Sequence, residues 1–378
     1  MKVLSASDLH LGNFNPYNKE TKYYGVGTRL LERLEAVRCF FEYGKERNIT
    51  HYVFNGDIFD KRQKEDIRTI EFIINMIVDS FSKTPKGSTL YLNIGNHDEQ
   101  SRYLNPNSCE LFRNIHVVNH KIVIVDKLSY LVKLKDKSNL LFVPFTENIK
   151  ESKIEVNKNI STLGDPTTIF AHVGLNNSHT GRYKLNLEGD YNLNDLGYNN
   201  KYIKNIVLGH YHTRDFHKGK SDSDEKSVWY QGNILPMSFN DVDKNGFGSP
   251  RGFDEIDTLT GEHTFINLCD KPYNFSKFDI IELENTNLTS DEIVSLSKKD
   301  YVKIVSTEMK KEDIKHLDNS DNIKVTIKPK LDDEQVEIDI KKDDSFEDIL
   351  KKYCDLNNIN KNVYKKSLEI IKKSKELL

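Results

Sequence analysis

The sequence predicts an α/β fold over about the first 270 residues, followed by a small α+β unit and a helical tail. In the first part, short apolar runs of strand length alternate with stretches of helical period, which is typical of an α/β domain. This alternation stops near residue 272, and apolar stripes at helical spacing return after residue 345. Because 378 residues exceed a typical single domain, we expect more than one unit.

Predicted strands and helices alternate in order along the first part. The strands are Val3–Ser7, Tyr52–Phe54, Leu90–Ile94, Thr168–Phe170 and Ile206–Leu208. A helix after the first strand is marked by Leu31, Leu34, Val37, Phe40 and Phe41, and one after the second strand by Ile70, Ile73, Ile74 and Ile77. This order predicts a sheet flanked by helices.

Beyond residue 272 the sequence predicts a small α+β unit without catalytic residues. Its predicted strands are Phe278–Leu283, Tyr301–Val305 and Ile323–Ile327, and its predicted helices are Ser290–Ser297 and Glu312–Leu317. Residues 331–344 are rich in Asp and Glu, and we interpret them as an acidic linker. The predicted units are therefore residues 1–271, 272–330, 331–344 and 345–378.

The segment from residue 345 to residue 378 predicts two amphipathic helices. Ser345 and Asp348 have the spacing of a capping box, with Asp in place of the usual Glu or Gln. One apolar stripe consists of Phe346, Ile349, Leu350 and Tyr353, and another of Tyr364, Leu368 and Ile371. Such stripes often pack on the chain's own domain, but here we favour a partner protein.

Composition and charge narrow the function classes. With a net charge of −3, the whole molecule is not a cationic binder of nucleic acid, although a local basic groove would suffice. The sequence contains no apolar run long enough for a membrane span and no secretory signal at its start. Its four cysteines are scattered, which is typical of reduced thiols. We therefore expect a cytoplasmic protein.

Five short motifs offer a set of candidate metal ligands, and each follows a predicted strand. They are Asp8-Leu9-His10, Gly56-Asp57-Ile58-Phe59-Asp60, Gly95-Asn96-His97-Asp98, Ala171-His172 and Gly209-His210-Tyr211-His212. In α/β sheets, ligand sites form beyond the carboxyl ends of the strands. The glycines before Asp57, Asn96 and His210 fit sharp turns that aim the next side chain at one point.

The donors in these motifs suit two divalent ions that share one carboxylate. The candidate ligands are Asp8, His10, Asp57, Asn96, His172, His210 and His212. Asp57 follows a strand and a glycine, so we expect it to bridge the ions. Asp8, His10 and one of the two late histidines would hold the first ion. The second ion would take Asn96, His172 and the other late histidine. Two such ions can activate water and clamp phosphate oxygens, which predicts hydrolysis of a phosphate ester.

His97 is left over beside Asn96, and we predict that it is a general acid or a residue that orients the phosphate. Asp98 is its expected partner, holding the imidazole in one tautomer. Asp60 comes three residues after Asp57 and is expected to support the ligands.

Any one motif alone is weak evidence. An isolated Asp-x-His occurs often by chance, and His210 and His212 alternate along one strand face, where both rings could simply be solvated. The occurrence of all five motifs in this order favours the metal site.

These motifs resemble those of the calcineurin-like metallophosphoesterase superfamily. Within it they are similar to the SbcD-type DNA repair nucleases, and in particular to the small subunits of T-even-phage recombination endonucleases. The resemblance covers residues 1 to about 260. It is carried by Ser7–Gly12, Gly56–Asp60, Gly95–Asp98, Gly209–Thr213, Tyr230–Asn233, Pro250–Phe253 and Asp257-Thr258.

The resemblance implies a four-layer sandwich of two β-sheets flanked by helices, with a small capping domain. It also implies that Asp8, His10, Asp57 and His212 hold the first ion, that Asp57, Asn96, His172 and His210 hold the second, and that His97 is catalytic. The expected ions are two Mn²⁺, with Mg²⁺ as a possible substitute. Some relatives carry histidine where Asp60 stands, so no second catalytic histidine is expected here.

The family also implies partners. Its members are homodimers, and the resemblance suggests the helix around Ile70–Ile77 as the dimer contact. They bind an SbcC-type, SMC-like ABC ATPase, to which the terminal helices would dock. We therefore hypothesise a manganese-dependent exonuclease and endonuclease that acts on double-strand ends and single strands of DNA. The alternatives are a metallophosphatase or phosphodiesterase with a non-DNA substrate, and an inactive scaffold of the same fold.

Overall fold

The structure is a computed structural model of the chain. It describes residues 1–13, 17–23, 25–60, 66–99, 106–180, 185–187, 189–218, 226–242, 246–306, 322–327, 344–356 and 359–375.

The strands of the described residues fall into two long series and a few short pieces. They are β1 (Lys2–Ala6), β2 (His51–Asn55), β3 (Thr89–Asn93), β4 (Lys121–Val125), β5 (Tyr130–Lys133), β6 (Asn139–Val143), β7 (Thr167–His172), β8 (Ser178–Thr180), β9 (Leu185–Leu187), β10 (Ile203–Gly209), β11 (Asp215–Lys218), β12 (Ser227–Tyr230), β13 (Gly252–Asp257), β14 (His263–Asn267), β15 (Phe278–Glu282), β16 (Tyr301–Ser306) and β17 (Ile323–Ile327).

The α-helices of the same residues are α1 (Thr28–Glu46), α2 (Ile67–Ser82), α3 (Ile149–Ser161), α4 (Ser290–Leu296), α5 (Phe346–Leu356) and α6 (Lys361–Lys375). Every strand and helix predicted within the first 270 residues is present, with boundaries that differ by a few residues.

Two six-stranded sheets form the body of the molecule. The first has the order β14-β13-β1-β2-β3-β4, and β1 to β4 run parallel to one another. The second has the order β11-β12-β10-β7-β6-β5, and its central strands β12, β10, β7 and β6 are also parallel. The parallel strands bring the loops at their carboxyl ends to one edge of each sheet.

The two sheets pack face to face, and helices cover their outer faces. Val3 and Val53 contact residues of the second sheet such as Phe170, while Leu4 and Phe54 point the other way, into the core that contains α1 and α2 residues. Because successive side chains of a strand alternate between faces, strands buried on both faces read as continuous apolar runs. Val156 of α3 packs on the outer face of the second sheet. The predicted four-layer sandwich is confirmed.

Helix α2 begins at a capping residue and is unusually apolar. The Asp66 side chain accepts a hydrogen bond from the backbone N–H of Arg68 (2.8 Å), which satisfies a free donor of the first turn. Ile73 and Ile77 are buried in the core, whereas Ile67 is 81% exposed. Apolar side chains that are only partly buried also lie along α2, at Phe72, Ile74, Met76 and Val78.

A small unit follows the sandwich. Its parallel sheet β15-β16-β17 packs with α4 around a separate apolar core that includes Ile281, Ile293 and Ile304. Tyr273 and Phe275 pack against the core that contains α1 and α2 residues. Contacts of the first unit therefore continue slightly beyond residue 271. The predicted helix Glu312–Leu317 lies outside the described residues, as does the predicted linker apart from residue 344.

The tail forms the two predicted helices, α5 and α6. The backbone N–H of Ser345 donates to the Asp348 carboxylate (3.0 Å), and the N–H of Asp348 donates to the Ser345 hydroxyl (3.1 Å). The predicted capping box is therefore present. The side chains of Phe346 and Ile371 lie outside the described part. Within that part, none of the helices has the length and apolar character needed to cross a membrane.

Candidate metal centre

The five motifs converge because the strands before them are parallel neighbours. Asp8 follows β1, Asp57 follows β2 and Asn96 follows β3 in the first sheet, while His172 ends β7 and His210 follows β10 in the second. The carboxyl ends of both sheets therefore point their loops at one place. The site they form lies between the two sheets, at one end of the sandwich.

The backbone at the site is held in a conformation that most residues avoid. Asp8, His10, Asp57 and His210 all have positive φ angles, of 49°, 43°, 50° and 98°. For a residue other than glycine, such a backbone costs about 1–3 kcal/mol and persists only where surrounding contacts enforce it. Strain concentrated on four of the predicted ligands is typical of a functional site.

The three glycines of the motifs are required for different physical reasons. Gly56 combines a φ of +89° with a close approach, since a Cβ would lie 2.0 Å from the His172 ring. Gly95 and Gly209 have no positive φ, but a Cβ on Gly95 would lie 2.2 Å from the Asp57 backbone nitrogen. The prediction of sharp turns therefore holds for Gly56. At the other two glycines, crowding around the site excludes a side chain.

A first cluster gathers Asp8, His10, Asp57 and His212, whose ligand atoms all lie within 4.8 Å of one another. His10 Nε2 and His212 Nε2 face each other at 3.1 Å, and His10 Nε2 lies 3.7 Å from Asp57 Oδ2. Asp8, His10 and Asp57 are buried, and His212 is half-buried. Carboxylate oxygens and imidazole nitrogens this close together can bind one divalent ion.

A second cluster begins at the same carboxylate oxygen. Asp57 Oδ2 lies 3.4 Å from His172 Nε2, and His172 Nε2 lies 3.2 Å from Asn96 Oδ1. Asn96 Oδ1 is also 2.8 Å from His210 Nδ1. Asp57 therefore stands between two groups of donors, and the late histidines divide between them, with His212 in the first cluster and His210 in the second.

Neighbouring polar groups fix the orientation of the predicted ligands. His172 Nδ1 donates to the carbonyl of Asn55 (2.8 Å), which leaves Nε2 to face the cluster. The predicted support by Asp60 is seen as a contact between its Oδ1 and His10 Nδ1 at 3.3 Å. The backbone N–H of His210 donates to Asp8 Oδ1 (3.1 Å), which ties the last motif to the first.

His97 lies at the rim of the site and is half-buried. Its backbone N–H donates to Asp57 Oδ1 (2.7 Å), and its Nδ1 donates to the carbonyl of Asp60 (2.6 Å). Its ring lies edge-on to the His10 ring, with centroids 4.7 Å apart. Because Nδ1 is occupied by the carbonyl, Nε2 is the atom left to meet a substrate.

Asp98 has a different role from the expected one. Its Oδ1 accepts from two backbone N–H groups of the loop after β2 (3.0 and 3.1 Å), and its Oδ2 accepts from the N–H of Gly95 (2.9 Å). The carbonyl of Asp60, not the carboxylate of Asp98, holds the imidazole of His97. The expectation that Asp98 fixes the His97 tautomer is therefore wrong. Asp98 instead joins the loop after β2 to the loop after β3.

The electrostatics of the site attract positive charge. Burial alone would lower the pKa of His172, but the charge of Asp57 outweighs it and raises the pKa to about 9. Burial and the nearby His172 lower the pKa of His210 to about 4. Burial would raise the pKa of Asp57, but His172 and His10 bring it below its usual range. The positive charge that Asp57 favours on His172 shows that the site stabilises a cation, and a metal ion would take the place of that proton, so the residues present fit a pair of divalent ions.

Two buried residues around the site received no role from the sequence, although Asn233 belongs to a segment that carries the resemblance. The Arg33 guanidinium is buried and donates to the carbonyl of Leu9 (2.8 Å), which lies between two predicted ligands. Asn233 is fully buried, pairs through its backbone with the residue before Asp8, and neither polar atom of its side chain has a hydrogen-bond partner in the described part. An arginine within an apolar helical stripe and a polar residue after an apolar strand were the available signals.

Comparisons with known proteins support this site. A family model described as calcineurin-like phosphoesterase matches residues 1–214, a segment that includes every predicted ligand from Asp8 to His212. The chain is 28% identical over 276 residues to "Exonuclease subunit 1" of Enterobacteria phage T4, covering 70% of this chain and 67% of that protein.

Among solved structures, the chain is similar to a dimetal phosphatase from Danio rerio, with 10% identity and a TM-score of 0.40, over 70% of this chain and 98% of that one. It is also similar to a 5'-nucleotidase precursor from Thermus thermophilus, with 10% identity and a TM-score of 0.32, over 70% of this chain and 52% of that one.

Proposed function

The chain belongs to the calcineurin-like phosphoesterase family, and from this premise we propose that it is the nuclease subunit of a DNA-processing complex. It is a metal-dependent phosphoesterase with a divalent-metal site. The observation that carries the proposal is the position of Asp57, which lies between two groups of donors. The match to a phage protein named as an exonuclease subunit favours DNA as the substrate.

In this proposal Asp8, His10, Asp57 and His212 hold one ion. The second ion is held by Asp57, Asn96, His172 and His210. The ions are Mn²⁺, with Mg²⁺ able to replace it, since the carboxylate and amide oxygens suit both. Two bound ions supply Lewis acidity, activation of water and neutralisation of the phosphate charge.

The residues of the chain itself position the substrate and move a proton. His97 Nε2 faces the substrate because Nδ1 is held by the Asp60 carbonyl, so His97 protonates the leaving oxygen or orients the phosphate. The hydrogen bond from the His97 N–H to Asp57 Oδ1 fixes the distance between this imidazole and the bridging carboxylate. Asp8 and Asp57 are buried at the floor of the site, while His97 and His210 are half-buried at its rim, from which a phosphate can approach.

The parts beyond the sandwich receive roles in the complex. We assign residues 1–271 to the nuclease domain, 272–330 to a capping domain beside the DNA and 331–344 to a linker. Residues 345–378 then bind an SbcC-type, SMC-like ABC ATPase. What supports the last assignment is the pair of amphipathic helices α5 and α6, which contact each other. Such a complex works on DNA in the cytoplasm, which would be that of the host if a phage encodes the chain.

The proposed molecule is a homodimer that associates through α2. The support is the apolar character of this helix, which carries 81%-exposed Ile67 and a row of partly buried apolar residues. An apolar helix face of this kind is stabilised when a second copy covers it.

The experiment that tests the function is digestion of end-labelled duplex and single-stranded DNA by the purified protein with Mn²⁺. We expect stepwise loss of the labelled DNA. His97→Ala should keep the bound metal and lose cleavage by a factor on the order of 10² or more, as for a lost acid–base group. Metal content and kcat are therefore measured on the same preparations.

Three outcomes would redirect the proposal. Intact DNA together with hydrolysis of a small phosphodiester would move the substrate from DNA to another phosphate ester. Intact DNA and intact ester, with and without the ATPase, would mean an inactive scaffold. A His97→Ala protein that has lost its metal would show that His97 is a ligand and not an acid.

A further inference from the structure

A cavity beside the metal centre has no role in the mechanism above. Its volume is about 440 Å³, within the range of pockets that bind small molecules. Part of its lining is apolar and includes Ile94, Pro144 and Phe145. Another part, which we call the polar wall, includes the acceptors Glu99, Asn107 and Asp126, and Lys127 also lines the cavity. A flat, apolar molecule with polar edges would match this mixed lining.

Phe145 connects this cavity to the second ligand cluster. Its ring is stacked on the His210 ring, with an interplanar angle of 20° and centroids 6.1 Å apart. Its backbone N–H donates to the carbonyl of Ile94 (2.9 Å), just before the Gly95-Asn96 loop. Phe145 is half-buried and lines the cavity, so a planar group in the cavity can stack on a ring that itself stacks on His210.

The polar wall consists of acceptors, so a ligand that binds there must donate hydrogen bonds. Asn107 is only 5% exposed, and its side-chain oxygen has no hydrogen-bond partner among the described residues. An enclosed acceptor without a partner costs free energy until a donor reaches it. Asp126 adds a carboxylate, part of whose charge is balanced by Arg113 at 2.7 Å. The charge of Lys127 partly offsets these carboxylates, while the acceptors favour a ligand that carries amino groups.

We propose that the cavity binds an unpaired nucleobase of the DNA strand whose phosphate lies at the metal centre. The proposal rests on the proposed nuclease function and names a substrate contact for it. The base stacks on Phe145 and donates its amino hydrogens to the acceptors around Asn107. Cytosine and adenine present an exocyclic amine and fit this wall, whereas thymine presents a carbonyl and a methyl group in that place.

The base must be unpaired because a base enclosed in the cavity has to leave the stack and its Watson–Crick partner. Enclosing a base in an enzyme costs the free energy of unstacking it. Stacking on an aromatic ring and hydrogen bonds to the edge of the base offset this cost. A frayed end or a single strand makes this cost small. The cavity therefore favours cleavage where the strand next to the scissile phosphate is already open.

The first test uses single-stranded oligonucleotides in which one abasic residue is moved along the strand. For the wild type we expect one position next to the cleaved phosphate where loss of the base lowers kcat/KM roughly tenfold, the scale of a stacked base. Thymine at that position should be cleaved more slowly than cytosine. Phe145→Leu should abolish the difference between intact and abasic strands, whatever its own basal rate.

The matched control is Tyr198→Leu, which removes a half-buried aromatic ring outside the cavity and should keep the abasic effect. Asn107→Leu should keep the abasic effect and lose the preference for cytosine over thymine. If the wild type cleaves DNA but treats intact and abasic strands alike at every position, the cavity does not bind a base. If it cleaves no DNA at all, the proposed function fails first.

A second measurement is independent of cleavage. Metal-free protein is mixed with an oligonucleotide that carries 2-aminopurine at the critical position, because stacking quenches its fluorescence. We expect quenching on binding to the wild type and to Tyr198→Leu, and none with Phe145→Leu at saturating protein. Equal quenching in all three proteins would overturn the assignment of Phe145.

Discussion

At the scale of single residues, the site contains strained backbone conformations, which hydrogen bonds within the site hold in place. Asp8 and Asp57 have positive φ angles, and both accept hydrogen bonds from backbone N–H groups of other motifs, those of His210 and His97. Each carboxylate therefore joins loops that are far apart in sequence. A change at one predicted ligand should disturb the loops that its neighbours depend on.

Asp57→Ala gives the sharpest test of the shared carboxylate. Because Asp57 Oδ2 lies 3.7 Å from His10 and 3.4 Å from His172, its removal should weaken both clusters at once. We expect bound metal per protein to fall from two ions to less than one, measured by inductively coupled plasma mass spectrometry after dialysis. Asp126→Ala, a partly exposed carboxylate that contacts Arg113, is the control. Retention of one full ion in Asp57→Ala would argue against a bridge.

At the scale of elements, helix α1 contacts the loops of the metal site through the buried side chain of Arg33. Besides Leu9, Arg33 donates to the carbonyls of Leu235 (2.9 Å) and Pro236 (3.1 Å). One turn earlier, Arg29 donates to the Pro236 carbonyl (2.9 Å) and lies over the Phe278 ring of the small unit. Helix α1 thus touches the loop of the first motif, the segment after β12 and the small unit.

Arg33→Met should destabilise the fold because it leaves buried carbonyls without donors. Each unpaired buried polar group costs about 1–3 kcal/mol, so we expect the free energy of unfolding to fall by about 2 kcal/mol or more in a urea titration. Arg38→Met on the same helix removes a partly exposed ion pair with Glu35 and Glu42 and should change stability by less than about 1 kcal/mol. Equal losses in both variants would contradict the role given to Arg33.

The tail helices allow a test of partner binding. Ile349 belongs to the predicted apolar stripe of α5, so Ile349→Lys should weaken binding to the ATPase by about tenfold or more if the stripe is the contact. Lys351→Glu, on the exposed side of α5, is a control that changes a charge on the same helix without removing an apolar side chain. Isothermal titration calorimetry with the purified ATPase measures both. Unchanged affinity of Ile349→Lys would refute the docking proposal.

At the scale of the whole molecule, the proposed dimer explains the apolar surface of α2. Ile67→Glu places a charge at the start of α2, within the proposed contact, and we expect it to convert dimers to monomers in light scattering after size-exclusion chromatography. Ile154→Glu is the matched control, since Ile154 on α3 is 64% exposed but lies away from α2. Dimers that persist in Ile67→Glu would place the contact elsewhere, and a monomeric wild type would remove the proposal.

The sequence by itself determined the chemistry and the order of elements. Apolar runs that alternate with helical stripes predicted β1 to β3 and α1 to α2, because strands and helices have different periods. The polar residues after each strand predicted a ligand set, and the capping box at Ser345 and Asp348 was readable because it is local. These features depend on residues that are neighbours in the chain.

The tertiary structure alone decided what depends on distances between remote residues. The residues alone left open how His210 and His212 divide between two clusters. The division that the resemblance implied rests on contacts with residues more than a hundred positions away. Asp98 is next to His97 in sequence, yet its oxygens are taken up by backbone groups of the loop after β2. The cavity behind Phe145 arises where separate loops meet. Such features follow from packing, which no local pattern of residues encodes.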